Sequence, residues 1–246
     1  MKLEAYETEA RLEETHWWFV VRRKLFSALI AKLKLDKKDT VLDVGTSTGT
    51  NLRMLQSLEF EAIRGLDYSE HAISFCRSKG LPEVEQGDIC AMPFSDNSFQ
   101  LILATDIIEH VDDDKLALTE IVRVLKPGGY ALVTVPMFMS LWGPQDDVSL
   151  HKRRYRRGGI QSLIKNFDIK VVDAFYFNSL LFIPIWFTRL LLKKAKPDLK
   201  SENDVNSPFI NKILTKVFEL DTVLARFHLF PFGVSYLMLL QKAEDK

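Results

Sequence analysis

The stretch Thr40–Thr50, read Thr-Val-Leu-Asp-Val-Gly-Thr-Ser-Thr-Gly-Thr, limits what this chain can fold into more than any other. Val41, Leu42 and Val44 form an apolar run that stops at Gly45. Gly49 follows four residues on, and Asn51-Leu52-Arg53-Met54-Leu55 resumes in helix-forming residues. That is a buried strand, a tight turn and a helix start. In an open α/β sheet such a turn lies at the carboxyl end of a strand, where ligands bind. Glycine there lets backbone approach a ligand with no Cβ between them. A nucleotide-like cofactor is expected on this loop.

The rest of the chain repeats the strand–helix rhythm. Strands are predicted at 62–67, 84–87, 99–104 and 130–135, with helices at 69–79 and 115–125, the second stopped by Pro127-Gly128-Gly129. Helices of this length between strands imply βαβ units and a mostly parallel sheet. Ahead of the first strand, Val20, Val21, Leu25, Ala28, Leu29 and Leu33 recur at helical spacing, so residues 3–33 read as one helix. Within it His16-Trp17-Trp18-Phe19 is a dense aromatic cluster, read first as packing and second as a lid over the cofactor. Beyond Pro136 the rhythm breaks. Residues 137–158 read as loop, 159–165 as helix and 169–176 as a sixth strand. A very apolar segment over 180–192 follows, then a polar linker at 196–208, a helix at 210–227 and a last strand at 234–240.

Two cofactor classes compete for the Gly45 turn. A dinucleotide fingerprint wants glycine where this chain has Gly45, Ser47 and Thr50, one match in three. The alternative, Asp-x-Gly with a glycine four residues on, is met by Asp43, Gly45 and Gly49. At these residues the sequence resembles the class I S-adenosylmethionine-dependent methyltransferases (methyltransferase domain 11-like), and the resemblance runs from about Val41 to Pro136. Ser47 replaces the middle glycine of the family's Asp-x-Gly-x-Gly-x-Gly loop.

The resemblance implies roles by position. Asp67, closing the second strand, would bond both ribose hydroxyls, which suits a carboxylate that accepts from two donors at once. Asp88 would accept from the adenine amino group, with Ile89 flanking the ring. Thr46, Tyr68 and Thr105 complete the cofactor set. The implied fold is a Rossmann-like seven-stranded sheet, mostly parallel with the last strand antiparallel and helices on both faces. A single domain over 1–246 is expected: an N-terminal helical cap over 1–38, a cofactor core over 39–136 and an acceptor-side half over 137–246, with a helical insertion at about 179–232.

Methyl transfer asks mainly for alignment, and for a base where the acceptor is protonated. Candidates lie just past the fourth strand, in Thr105-Asp106-Ile107-Ile108-Glu109-His110. On a helix turn Asp106, Glu109 and His110 would share one face, a set that could bind a divalent cation. The pattern is similar to the acid-x-x-Glu-His of ubiquinone-pathway O-methyltransferases and small-RNA 2′-O-methyltransferases, where it holds a metal. Glu-His at this place is also common in metal-free relatives, so His110, with Glu109, is expected to act as substrate-side base or orienter without a metal.

On the acceptor side, His151-Lys152-Arg153-Arg154-Tyr155-Arg156-Arg157 is a basic run. Its alternatives are a solvated loop and an anion contact through guanidinium forks. It resembles the His-x-Arg-Arg-Tyr of bacterial and archaeal methyltransferases of glycan and lipid assembly, with Arg154 and Tyr155 the best matches. Trp17, Trp18, Arg154 and Tyr155 are the candidate substrate residues. Segment 177–195, with Trp186 and Phe187 beside Arg189, Lys193 and Lys194, reads as a pocket cap or as an interfacial helix in peripheral membrane contact.

The expected activity is O-methylation of a small-molecule or a lipid- or glycan-linked acceptor. The alternatives are an RNA methyltransferase, a non-catalytic cofactor-binding relative and a nicotinamide dehydrogenase, which Ser47 and Thr50 argue against. Lys+Arg and Asp+Glu are equal at 33 each, so no global charge favours nucleic acid. With two cysteines and no apolar signal core at the N-terminus, the expected location is cytoplasmic, with peripheral contact at the inner face of the membrane as an option.

Overall fold

In the computed structural model, which describes residues 3–81, 83–195 and 207–244, the strand that ends at Gly45 lies third from one edge of a seven-stranded sheet. The strands are β1 (Thr40–Val44), β2 (Ala62–Asp67), β3 (Val84–Gln86), β4 (Phe99–Thr105), β5 (Leu125–Pro136), β6 (Ile169–Phe177) and β7 (Ser235–Lys242), in the order β3-β2-β1-β4-β5-β7-β6. Pairings from β3 to β5 are parallel, and β7 runs antiparallel to both β5 and β6. The order reverses between β1 and β4, so the loops after these two strands diverge and leave a crevice at their carboxyl ends.

Side-chain alternation splits the core in two. Val41, Leu101, Leu103, Leu132, Leu237 and Leu239 face α2 (Trp17–Ile30), α3 (Thr50–Ser57), α4 (Glu70–Ser78) and α9 (Pro208–Ala225). Leu42, Val44, Ile102, Val133, Val135 and Met238 face α5 (Asp114–Val124) and α7 (Arg157–Ile164).

The N-terminal cap is two helices, not one. A first helix, α1 (Leu3–Leu12), is followed by a turn before α2. The break follows from Glu13, whose buried carboxylate turns inward to accept from Lys79 Nζ at 2.6 Å and from the Thr48 hydroxyl. His16 restarts the chain by capping Trp18 N–H at 3.3 Å. Residues 137–158 are likewise not all loop: they hold a 3₁₀ turn at Met139–Leu141 and the short α6 (Pro144–Ser149). Strand β5 also starts before the Pro-Gly-Gly turn rather than after it.

The insertion before β7 consists of α8 (Phe182–Ala195) and α9. The polar linker read at 196–208 lies, up to residue 206, outside the described residues. Helix α9 packs on α2. The Trp18 ring stacks on Phe218 (5.4 Å) and Phe177 (6.1 Å), and Asn211 takes Trp17 N–H and donates to the Thr15 carbonyl, both at 2.8 Å. Asp221 of α9 is fully buried and accepts from the backbone N–H groups of Asn178, Ser179 and Leu180 at 2.7, 2.6 and 2.7 Å. That carboxylate fixes the bend from β6 into α8. Removing it leaves three donors unpaired, two of them buried, so Asp221→Ala is expected to lower stability by about 3 kcal/mol in denaturant titration, whereas Glu219→Ala, two positions earlier and partly exposed, shifts it by under about 1 kcal/mol.

Candidate functional site

The crevice opens into a cavity of about 1480 Å³, larger than the several hundred to 1000 Å³ usual for one small ligand. Its wall begins on the loop after β1. Gly45 has φ +75°, and a Cβ there would lie 2.7 Å from the Ile107 side chain. Ser47 also sits in the left-handed region at φ +48°, which is why glycine is at home at that position. Its backbone N–H donates to Asp67 Oδ2 at 2.9 Å, while Asp67 Oδ1 accepts from Ser69 N–H at 2.9 Å. Thr46, Asp67, Tyr68, Asp88, Ile89 and Thr105 all line the cavity with Gly45. Asp67 stands on the wall with a lone pair to spare on each oxygen, so the loop and this carboxylate fit a ribose-bearing ligand.

Two residues expected to touch the cofactor stand behind that wall. The Asp43 side chain is fully buried, and its Oδ1 accepts from Asn51 Nδ2 at 3.0 Å, which also donates to Thr105 Oγ1 at 3.1 Å. Gly49 faces Leu81 and Cys76, and a Cβ there would run into both side chains. Their work is to shape the loop; Asn51 and Thr50, which sequence reasoning passed over, reach the cavity instead. Burial pushes the Asp43 carboxyl up to about 7, against the hydrogen bond from Asn51, and raises Glu9 on the cavity roof to about 7 as well.

The roof is the N-terminal cap. Tyr6 and Glu9 from α1 and Trp17, Trp18 and Arg22 from α2 line the cavity. Both readings of the aromatic cluster therefore hold geometrically: the rings pack on Phe218 and Phe177 and also cover the chamber. Arg22 lies 4.8 Å from the Trp18 ring centroid and pairs with Asp106 at 2.6 Å, joining roof to floor.

On the floor, residues 105–110 do not make the expected helix turn. Asp106 has φ +53°, and only Ile108–His110 form a 3₁₀ turn. The Asp106 side chain thus pairs with Arg22, while its charge still reaches Glu109 and its backbone bonds the His110 ring. In its place stands His151 of the basic run, its ring 4.6 Å from His110 and its Nε2 3.9 Å from Glu109 Oε1. A backbone bond from Lys152 N–H to the Glu109 carbonyl, 2.9 Å, brings the two segments together. Glu109 is fully buried, and among the described residues neither carboxylate oxygen has a hydrogen-bond partner. Burial, then the neighbouring Asp106 charge, raises its carboxyl well above the usual range. Burial and His151 lower His110 to about 3, so its imidazole is neutral.

The basic run is not an open cationic patch. Arg154 lines the cavity, but its Nε donates to the buried Asp146 carboxylate at 2.8 Å and its Nη1 to the Met137 carbonyl at 3.1 Å. Tyr155 is buried off the cavity, with its hydroxyl on Asp114 at 2.9 Å. Arg153 pairs with Asp114 at 2.9 Å, and Lys152 with Asp112. Arg154 therefore builds the wall with Tyr155 behind it, because acids from α5, α6 and the turn ahead of α5 pair with Lys152, Arg153 and Arg154. Sequence spacing gave no sign of Asp146, which also accepts from His151 Nδ1 at 2.8 Å. Burial would raise it, yet the bonds from His151 and Arg154 and the charges of Arg154 and Arg189 hold it well below the usual range.

Residues 42–133 match the model of the methyltransferase domain family, the stretch that carries the loop, Asp67, Asp88 and the Glu109–His110 turn. This stretch is a methyltransferase domain. Within the curated proteins, the chain is similar to a demethylmenaquinone methyltransferase of Chlorobaculum tepidum, 31% identical over 124 residues, half of each chain. It is also similar to the O-methyltransferase rstn1 of Aspergillus nomiae, 28% identical over 136 residues, 52% of this chain and 60% of that one. The chain spans about half the length of the curated relatives it matches. A solved S-adenosylmethionine-dependent methyltransferase of Aquifex aeolicus shares the fold, with a TM-score of 0.55 at 20% identity over 72% of this chain and 93% of that one.

Two measurements probe the methyltransferase domain's loop. The bond from position 47 to Asp67 comes from the backbone, so Ser47→Gly is expected to leave calorimetric S-adenosylmethionine affinity within about twofold. The Asp43 carboxyl titrates near 7 in the folded chain and near 4 when unfolded. The folded state therefore holds the extra proton between these values, and stability falls as pH rises through that window. Asp43→Asn removes this dependence. In denaturant titrations without cofactor, the variant should gain about 3 kcal/mol relative to wild type between pH 5 and pH 8.

Proposed function

We propose that the protein transfers a methyl group from S-adenosylmethionine to an oxygen of a small-molecule or a lipid- or glycan-linked acceptor. The observation that carries this reading is the continuity of the chamber: one cavity joins the Gly45–Asp67 end to the Glu109–His110–His151 corner. A donor at one end and an acceptor at the other share one enclosed space.

S-adenosylmethionine supplies, when bound, an electrophilic methyl group on a cationic sulfur. The chain's part is to hold, align and shield. Asp67 would take the ribose hydroxyls, Asp88 and Ile89 the adenine, and Gly45 with Thr46 the methionine side, with Tyr68 and Thr105 completing the contacts. The carboxyls of Glu9 and Asp67 put acidic groups around a cationic ligand. Holding the acceptor oxygen in line with the methyl group is the largest catalytic contribution, worth roughly 7–11 kcal/mol in well-aligned systems. His110 and Glu109 face the acceptor, where a neutral imidazole can receive a proton or orient the hydroxyl.

An apolar acceptor is favoured by the far wall. Leu181, just ahead of α8, and Pro184 and Ile185 on it line the cavity, and the helix buries Arg189, which donates to the Leu141 carbonyl. Its outer face leaves Ile183, Phe187 and Leu191 half exposed or more, and Phe209 of α9 and Phe227, just beyond its end, are over 70% exposed. Among the described residues no helix is long and apolar enough to cross a membrane, so this outer face supports peripheral contact with a lipid surface or a lipid-linked substrate. RNA is disfavoured because Lys152, Arg153 and Arg154 of the basic run are paired with acids.

Incubation with methyl-labelled S-adenosylmethionine and a panel of phenolic, isoprenoid and sugar hydroxyls tests the reading; cofactor binding with no labelled product from any acceptor would point to a non-catalytic relative. With an active acceptor in hand, His110→Ala should lower kcat by about 10²-fold and leave cofactor affinity unchanged; undiminished turnover would remove His110 from the mechanism.

A further inference from the structure

The buried carboxylate of Asp146 does more than balance charge. Its Oδ1 accepts from His151 Nδ1 and from Arg154 Nε, both at 2.8 Å, and its Oδ2 accepts from the Gly143 N–H at 2.8 Å. Arg189 Nη1 stands 3.5 Å from Oδ2. A carboxylate held in this way stays ionised and can only accept, so the ring proton of His151 sits on Nδ1. The backbone repeats the arrangement. Leu150 ends α6 in the left-handed region at φ +58°, and the His151 N–H returns to the Asp146 carbonyl at 2.9 Å. Ring and backbone of His151 are both fixed on one residue.

Nε2 is left with its lone pair on the open edge of a ring that lines the cavity. Glu109 Oε1 is 3.9 Å away, beyond hydrogen-bond length. His110 is placed differently. Its ring is held by the backbone of Ser149 and of Asp106 and packs edge-on against His151. Burial, with the neighbouring His151, lowers it to about 3. An imidazole that resists a proton so strongly is a weak base near neutral pH.

We propose that His151, aimed by Asp146, is the general base of the reaction, and that its Nε2 takes the proton of an acceptor hydroxyl. His110 then orients the acceptor and packs the base. This rests on the reading of the chain as methylating oxygen. As the acceptor oxygen forms its bond to the methyl carbon, the carbon–sulfur electron pair stays with sulfur and the hydroxyl proton moves to Nε2. The charge that appears on the ring is matched by Asp146 at Nδ1–H, which is how a buried aspartate supports a histidine base. Arg154 of the basic run and Arg189 of α8 face the same carboxylate, and Glu109 and His110 face the ring from the turn after β4. These groups together set the pH below which the ring gains a proton and can no longer accept one.

Long-range proton–nitrogen NMR on the full chain labelled at histidine, without cofactor or acceptor, should show His151 as the Nδ1–H tautomer, its signals identified by their loss in His151→Gln. With a hydroxyl acceptor, His151→Gln should lower kcat by about 10²–10⁴-fold and leave S-adenosylmethionine affinity within about twofold. It should also remove the fall of kcat at acid pH that the wild type shows, whereas His110→Ala should keep that fall. Asp146→Asn, checked for folding by circular dichroism, should lose the Nδ1–H preference and lower kcat about tenfold or more; where it does not fold, the wild-type spectrum and His151→Gln decide. An Nε2–H tautomer in the wild type, undiminished kcat or a surviving acid fall in folded His151→Gln, or a folded Asp146→Asn with wild-type tautomer and kcat would overturn the proposal. Those results leave wild-type methyl transfer to oxygen standing, whereas no labelled product from any hydroxyl would overturn that reading and the base with it.

Discussion

The part of this protein that follows β5 depends on one buried carboxylate. Asp146 sits with no exposed surface on α6 and receives His151, Arg154 and Arg189, three side chains from two other segments. A buried acid paired this fully is costly to assemble and costlier to break, since removing one partner strands charge in a low-dielectric interior. The network therefore sets a geometry more than it adds stability. It locks the basic run against the floor, turns α8 inward through Arg189 and fixes the tautomer of His151. The shape of the chamber and the chemistry of its floor have a common origin.

The cofactor half is built on a different device, a strained loop stiffened from behind. Gly45 and Ser47 hold positive φ values, and Asp67 gathers the backbone donors of Ser47 and Ser69. Asp43 and Asn51 brace the loop from the sheet side. The helical cap then closes over it, with Glu13 pinned by Lys79 and Arg22 reaching across to Asp106.

Much of the fold was legible because local pattern and tertiary role agree there. Each of the seven predicted strands forms within a few residues of its expected place, since apolar alternation and glycine or proline punctuation act locally. Asp67 and Asp88 were legible for a related reason: each closes a strand or follows one, and the carboxyl end of a parallel sheet places such residues on the ligand crevice. The helix over 3–33 was misread because nothing in its periodicity shows that Glu13 is needed by Lys79, 66 positions away.

The sequence by itself determined the sheet, the nucleotide-like loop and the acids that follow it, because those depend on residue type at short spacing. Tertiary structure alone decided what the polar residues face. It drew Arg154 into the wall with Tyr155 behind it and gave Asp106 to Arg22. It also brought His151 from a run that reads as a cationic patch to stand beside Glu109 and His110. Charge along a chain says nothing of which opposite charge will meet it after folding, and a buried pair is made by the packing of segments that no periodicity connects.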